Sequence, residues 1–187
     1  MRLRNNRYEE IKRLVVCLYK ECGIHTYPIS YQEICKKMGI ILIPYSELSE
    51  RKQNAAKELS SDGFHLLIQD LHTGELVRLI YYNDSNTRER IRWTILHEIG
   101  HIVLDHSEES ELAESEANFF AKYALAPPPL VHAAGCKDFI DIMVKFDLSV
   151  TASLYTMSYY RKWLTHYGPS MYQEHEIAML RLFGVAG

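Results

Sequence analysis

Cysteine is scarce, and none of the four residues (Cys17, Cys22, Cys35 and Cys136) forms a CxxC pair. The chain therefore offers no thiol redox motif and no disulfide framework, and a reducing cytoplasm is the expected setting. Long apolar runs are missing too. No stretch approaches the roughly 18 residues of a membrane span, and the basic start MRLRNNRYEE leads into no apolar signal segment. An excess of positive charge is also lacking: at −3, the net charge draws the molecule towards neither nucleic acid nor anionic membrane. Low-complexity segments and internal repeats are absent. What remains is 187 residues, 47% hydrophobic and 24% charged, the balance of one soluble globular domain with a real core.

Periodicity divides that domain into parts. Ile11, Leu14, Val15, Leu18 and Cys22 recur at helical spacing and predict an amphipathic helix over 8–22, stopped by Gly23. In PISYQEICKKMGI, Ser30 and Glu33 form a capping-box pattern before a short helix that Gly39 ends. The apolar run Ile40–Ile43 reads as a strand, and the polar, poorly periodic residues 46–62 as a loop with at most a helical turn. FHLLIQ and ELVRLIYY, joined through a connection containing Gly74, read as a hairpin. From Asn86 the chain turns helical, interrupted by the prolines of LAPPP at 125–129, with further helices expected at about 136–146, 149–166 and 172–183. Strands first and helices afterwards argue for an α+β fold with helices packed on a small sheet. The expected organisation is a single domain over 1–187, with an N-terminal helix in 1–24 and a helical C-terminal subdomain from about 136.

The densest chemistry lies in RWTILHEIGHIVLDH, Arg92 to His106. On a helix, His97 and His101 stand one turn apart on one face, roughly 6 Å from each other. Two imidazoles so placed suit one tetrahedral zinc ion. Glu98 leaves the same turn in another direction, within reach of a water at the metal, which is the position of a general base. The competing reading is an amphipathic helix with incidental histidines. Leu96, Ile99 and Val103 form its core stripe, Ile95, Ile102 and Leu104 its shoulders, and the two histidines fall at the margin of this arc. Gly100 is a poor helix former, and its lack of a side chain admits a crossing helix or substrate strand.

A catalytic zinc needs a third protein ligand and an open position. ELAESEANFFAKYALAP supplies Glu114 and Asn118 at i and i+4, beside a stripe of Ala117, Ala121 and Leu125. One could bind metal while the other orients a ligand histidine. Glu116 competes with Glu114, and the two side chains differ by about 160° around the helix. Glu108, Glu109 and Glu111 read as a solvated loop and first turn.

Together, His97-Glu98-Ile99-Gly100-His101, Glu114-x-x-Ala117-Asn118-x-Phe120-Ala121 and Leu125-Ala126-Pro127 resemble the ImmA/IrrE family of metallo-endopeptidases. PISYQEICKKMGI and IYYND extend the resemblance over about residues 25–130. It implies a zincin-like fold in which the HExxH helix and a glutamate-bearing helix pack against the small sheet. It further implies His97, His101 and Glu114 as Zn²⁺ ligands, Glu98 as the base, and Asn118 as a partner of a ligand histidine. The choice tips towards Glu114 over Glu116. The implied substrate is a protein partner, typically a helix-turn-helix transcriptional repressor of a mobile element, prophage or stress response, cut by limited proteolysis. Where the family commonly reads Leu-Leu-Met-Pro, this chain has Ala-Leu-Ala-Pro-Pro-Pro, a change at the helix exit and cleft rather than at the metal.

Tyr123, His132 and Tyr155 are candidate donors to a tetrahedral oxyanion, each with packing as its alternative. The hairpin at 64–82 offers an edge strand to an extended substrate, or is purely structural. His106, five residues beyond His101, falls off the ligand face and reads as a helix C-terminal residue. His25, His65, His72, His166 and His175 have no partner at ligand spacing. The segment 137–163 is superficially helix-turn-helix, but four basic against three acidic residues make no basic face, so direct nucleic-acid binding is not expected. The rivals to a zinc endopeptidase are a non-catalytic protein-binding module of the same fold and, behind it, a DNA-binding regulator. Intact Glu98 argues against the first and the net charge against the second.

Overall fold

A computed structural model describes residues 3–71, 73–166 and 168–185; the expectation for His72 lies outside them. The first helix, α1 (Asn5–Cys22), buries Ile11, Val15, Leu18, Tyr19 and Cys22 along one side and ends where Gly23 turns left-handed at φ +71°. α2 (Tyr31–Met38) starts at Ser30, whose hydroxyl accepts the Glu33 backbone N–H at 3.2 Å, and stops at left-handed Gly39. Three strands follow: β1 (Ile40–Pro44), β2 (Gly63–Gln69) and β3 (Leu76–Tyr82). β3 is central, parallel to β1 and antiparallel to β2, so β2 lies at an edge.

Residues 45–59 depart from the expected loop. A 3-10 turn (Tyr45–Glu47) leads into a ten-residue helix, α3 (Glu50–Leu59). Only Ala56 of α3 is buried, so the helix has almost no apolar stripe for periodicity to report. Its residues are nevertheless mostly good helix formers.

The remaining helices are α4 (Arg88–Val103), α5 (Glu111–Leu125), α6 (Pro128–Ala133), α7 (Phe139–Phe146), α8 (Val150–His166) and α9 (Glu174–Leu182). α6 was not expected. Pro128 and Pro129 occupy its first two positions, where a missing N–H costs no intrahelical bond, so the prolines that end α5 also begin α6. The protein is thus mixed α and β, with a small three-stranded sheet and mostly helical content. No helix among the described residues is long and apolar enough to cross a membrane.

α4 runs between the sheet and α5, and two glycines permit both approaches. A Cβ on Gly63 would fall 2.6 Å from the Tyr81 carbonyl oxygen and 2.8 Å from the Thr94 methyl. A Cβ on Gly100 would fall 3.0–3.2 Å from the Phe120 ring of α5. The neighbour that Gly100 admits is therefore a second helix. At its other end α4 is tied to the α7–α8 corner: buried Arg92 donates to the Phe146 carbonyl at 2.6 Å and to the Asp147 carboxylate at 3.1 Å.

Candidate metal centre

Ile95, Leu96 and Ile99 of α4 are fully buried, and the polar residues between them are nearly so: His97, Glu98 and His101 are each 7% exposed. The helix is therefore enclosed on both its apolar and its histidine faces. Burial pushes the His97 imidazole down to about 4 and lowers His101 as well. Both rings are neutral near pH 7, with a lone pair available to a cation.

α5 returns along α4 from its Ser110 cap, which accepts the Ala113 N–H at 3.0 Å. Buried Ala113, Ala117 and Ala121 and the Phe120–Gly100 contact bring the two helices close. This carries Glu114, in the first turn of α5, to the histidines. His97 Nε2 and His101 Nε2 are 3.1 Å apart, Glu114 Oε1 is 3.1 Å from His101 Nε2, and Glu114 Oε2 is 3.5 Å from His97 Nε2. Tetrahedral zinc with bonds of about 2.0–2.1 Å needs ligand atoms about 3.3 Å apart, so this spacing and donor set fit the ion. One potential ligand atom from each of these residues lies within 4.8 Å of the other two, and they form a group that could hold a metal. The Glu114 side chain is 52% exposed, so the group opens to solvent on that side.

The other acids and histidines separate clearly. Glu116 lies elsewhere: it accepts from Arg7 at 2.8 and 2.5 Å and stands 3.0 Å from His106 Nε2. Those hydrogen bonds from Arg7 hold its carboxyl below the usual range. Asn118 does not reach a ligand histidine; its amide donates to the Glu114 backbone carbonyl at 2.7 Å, one turn back on its own helix. His97 Nδ1 is buried without a partner, and its ring stacks on Trp93 at a centroid distance of 5.0 Å.

Two residues missed in the sequence stand beside this group. His65 of β2 places Nδ1 2.7 Å from Glu98 Oε2, with its ring 5.5 Å from that of His101. Strand alternation could assign its face but not its contact: His65 pairs with Ile80, which is fully buried, so both share the face towards α4. His106 places Nδ1 3.0 Å from His101 Nδ1. Helical arithmetic placed it off the ligand face, but α4 ends at Val103, and left-handed Asp105 (φ 54°) folds the chain back. His106 N–H then reaches the His101 carbonyl and Asp105 N–H the Ile102 carbonyl, the Schellman pattern at a helix end.

A groove of about 510 Å³ passes Trp93 and Asn118 between α4, α5 and α8, with Leu125, Leu148 and Ala152 as its apolar part. Of the three candidate oxyanion donors, Tyr155 lines this groove, under the Lys122 ammonium. Tyr123 is buried beneath Lys12 with its hydroxyl unpartnered, and His132 is bonded to the Tyr160 hydroxyl at 2.9 Å. His25, His166 and His175 take no part in the group. The α7–α8 segment exposes Ile140, Val144, Val150 and Leu154.

No curated protein matches the sequence. A family model, that of the IrrE N-terminal-like domain in peptidase family M78, matches residues 57–158. The match runs from the end of α3 into α8 and contains the hairpin, both helices that carry the His97–His101–Glu114 group and the groove. It covers more than half of the chain, which therefore belongs to the ImmA/IrrE family of peptidases.

Proposed function

We propose that the protein is a zinc-dependent endopeptidase of zincin-like fold, with His97, His101 and Glu114 holding the metal and Glu98 acting as general base. The observation that carries this reading is the convergence of two neutral imidazoles and one carboxylate at tetrahedral spacing, with a buried glutamate on the adjacent helical position. Bound zinc supplies Lewis acidity towards water and towards a peptide carbonyl. Glu98 accepts a proton from the attacking water and passes it to the leaving amine. His65 orients the Glu98 carboxylate through the 2.7 Å contact at Oε2, leaving Oε1 for that transfer.

The open side of the group supports entry of a peptide. β2 is an edge strand and carries His65, so an extended segment adding to that edge would pass Glu98. The resemblance to repressor-cleaving relatives supports a helix-turn-helix transcriptional repressor as the protein partner. The test is co-expression with candidate regulators, followed by detection of fragments. Wild-type protein cuts one of them, whereas Glu98→Gln loses about 10²–10⁴-fold in rate and keeps its zinc. Full cleavage by Glu98→Gln would sink the assignment.

A further inference from the structure

Beyond the three expected ligands, a polar chain runs from the metal-ligating group to the N-terminal helix. His101 Nδ1 lies 3.0 Å from His106 Nδ1, His106 Nε2 lies 3.0 Å from Glu116 Oε2, and Glu116 takes both Nε and a terminal nitrogen of Arg7. The middle of the chain is shielded, with the His106 and Glu116 side chains 11% and 6% exposed. Arg7 has a second partner in Glu10 at 2.8 Å.

The donors and acceptors along this chain have one consistent order for neutral imidazoles. A carboxylate only accepts, so the His106 nitrogen facing Glu116 carries the hydrogen. Neutral His106 then presents a bare Nδ1 to His101, and His101 must supply the hydrogen between them from its own Nδ1. That leaves the His101 Nε2 lone pair bare, and this is the atom that faces His97 and Glu114. We propose that His106, fixed by Glu116 and Arg7, is the positioning residue of His101, setting both its tautomer and its ring orientation for metal. The inference rests on the zinc reading above. It assigns Glu116 a role as an anchor one step behind the centre, and gives α1 a part in metal binding through Arg7.

The Schellman turn explains why this arrangement is built into the helix end. Folding back at Asp105 fixes the His106 backbone against the His101 carbonyl, so the two rings meet without a long flexible linker. His97 has no counterpart, since its Nδ1 is unpartnered.

The experiment measures zinc affinity by chelator competition, the visible spectrum of the Co²⁺-loaded protein, and the melting temperature of the metal-free protein. His106→Phe keeps a planar ring without nitrogens, and His106→Asn puts an amide oxygen near the lost Nδ1. His106→Phe should weaken zinc binding about 10–100-fold and shift the Co²⁺ bands, with metal-free melting unchanged. His106→Asn should recover much of that loss. Unchanged affinity in His106→Phe, or equal losses in both variants, overturns the proposal while leaving the zinc reading intact. Wild-type protein that binds no zinc overturns both. Nitrogen-15 NMR of metal-free wild-type protein gives a readout that neither a variant nor the metal dictates: His101 should carry its hydrogen on Nδ1, and a hydrogen on Nε2 would contradict the proposal.

Discussion

The rear of the candidate centre and its front are built differently. At the rear, His101 is backed by His106, Glu116 and Arg7, a chain crossing from α4 through α5 to α1. At the front, each group depends on one neighbour: Glu98 on His65, and the His97 ring on Trp93. Glu114 there is half exposed, whereas Glu116 at the rear is buried. A polar chain with each member partnered holds a ligand in one orientation. In the proposed peptidase the front admits water and a peptide, and single contacts beside a groove leave that space open.

Substitutions at two front residues break or sharpen this contrast. The larger effect is expected at His65. His65→Ala removes the side chain that contacts the Glu98 carboxylate at 2.7 Å, and a base displaced by even an ångström can cost about 10²-fold, so cleavage should fall by that order with zinc retained. His65→Asn, which keeps an N–H near the Nδ1 position, should recover part of the rate in the same steady-state assay. Loss of zinc in His65→Ala would show that the strand belongs to the metal's support rather than to the base.

A smaller effect is expected at Trp93. Trp93→Ala removes the ring under His97 but no hydrogen bond to it, so zinc affinity by chelator competition should fall by less than the roughly 10–100-fold of an outer hydrogen-bond partner. Because Trp93 also lines the groove, KM should rise more than kcat falls. A metal loss as large as that of His106→Phe would erase the distinction between the two histidines.

Much of this architecture was legible because apolar spacing, caps and glycines agreed. The helices now seen at 5–22 and 31–38, the strand at 40–44, the hairpin and the helix carrying HEIGH all followed from local signals. α3 escaped because it buries one residue, and α6 because prolines were read as an end rather than as a start. The ligand spacing of His97 and His101 is a property of one helix and could be read from it. His65 lies 33 residues from Glu98 and reaches it only through sheet pairing, so no local pattern contained that contact. His106 lies past the end of α4 and outside the ligand-capable group, as expected; its contact with His101 was not legible because a single left-handed residue, Asp105, turns its ring back towards the helix. Asn118 shows the converse, a residue at suitable spacing whose amide turns back to its own helix.

The central claim is that His97, His101 and Glu114 form one zinc site and that Glu116 stands behind it. Zinc content of the purified protein after dialysis, measured for wild type, His97→Ala, Glu114→Gln and Glu116→Gln, tests it most directly. The account predicts about one zinc per chain in wild type, near-complete loss in His97→Ala, strong loss in Glu114→Gln, and retention with weakened affinity in Glu116→Gln. Zinc retained in Glu114→Gln but lost in Glu116→Gln, or no zinc in wild type, would contradict it.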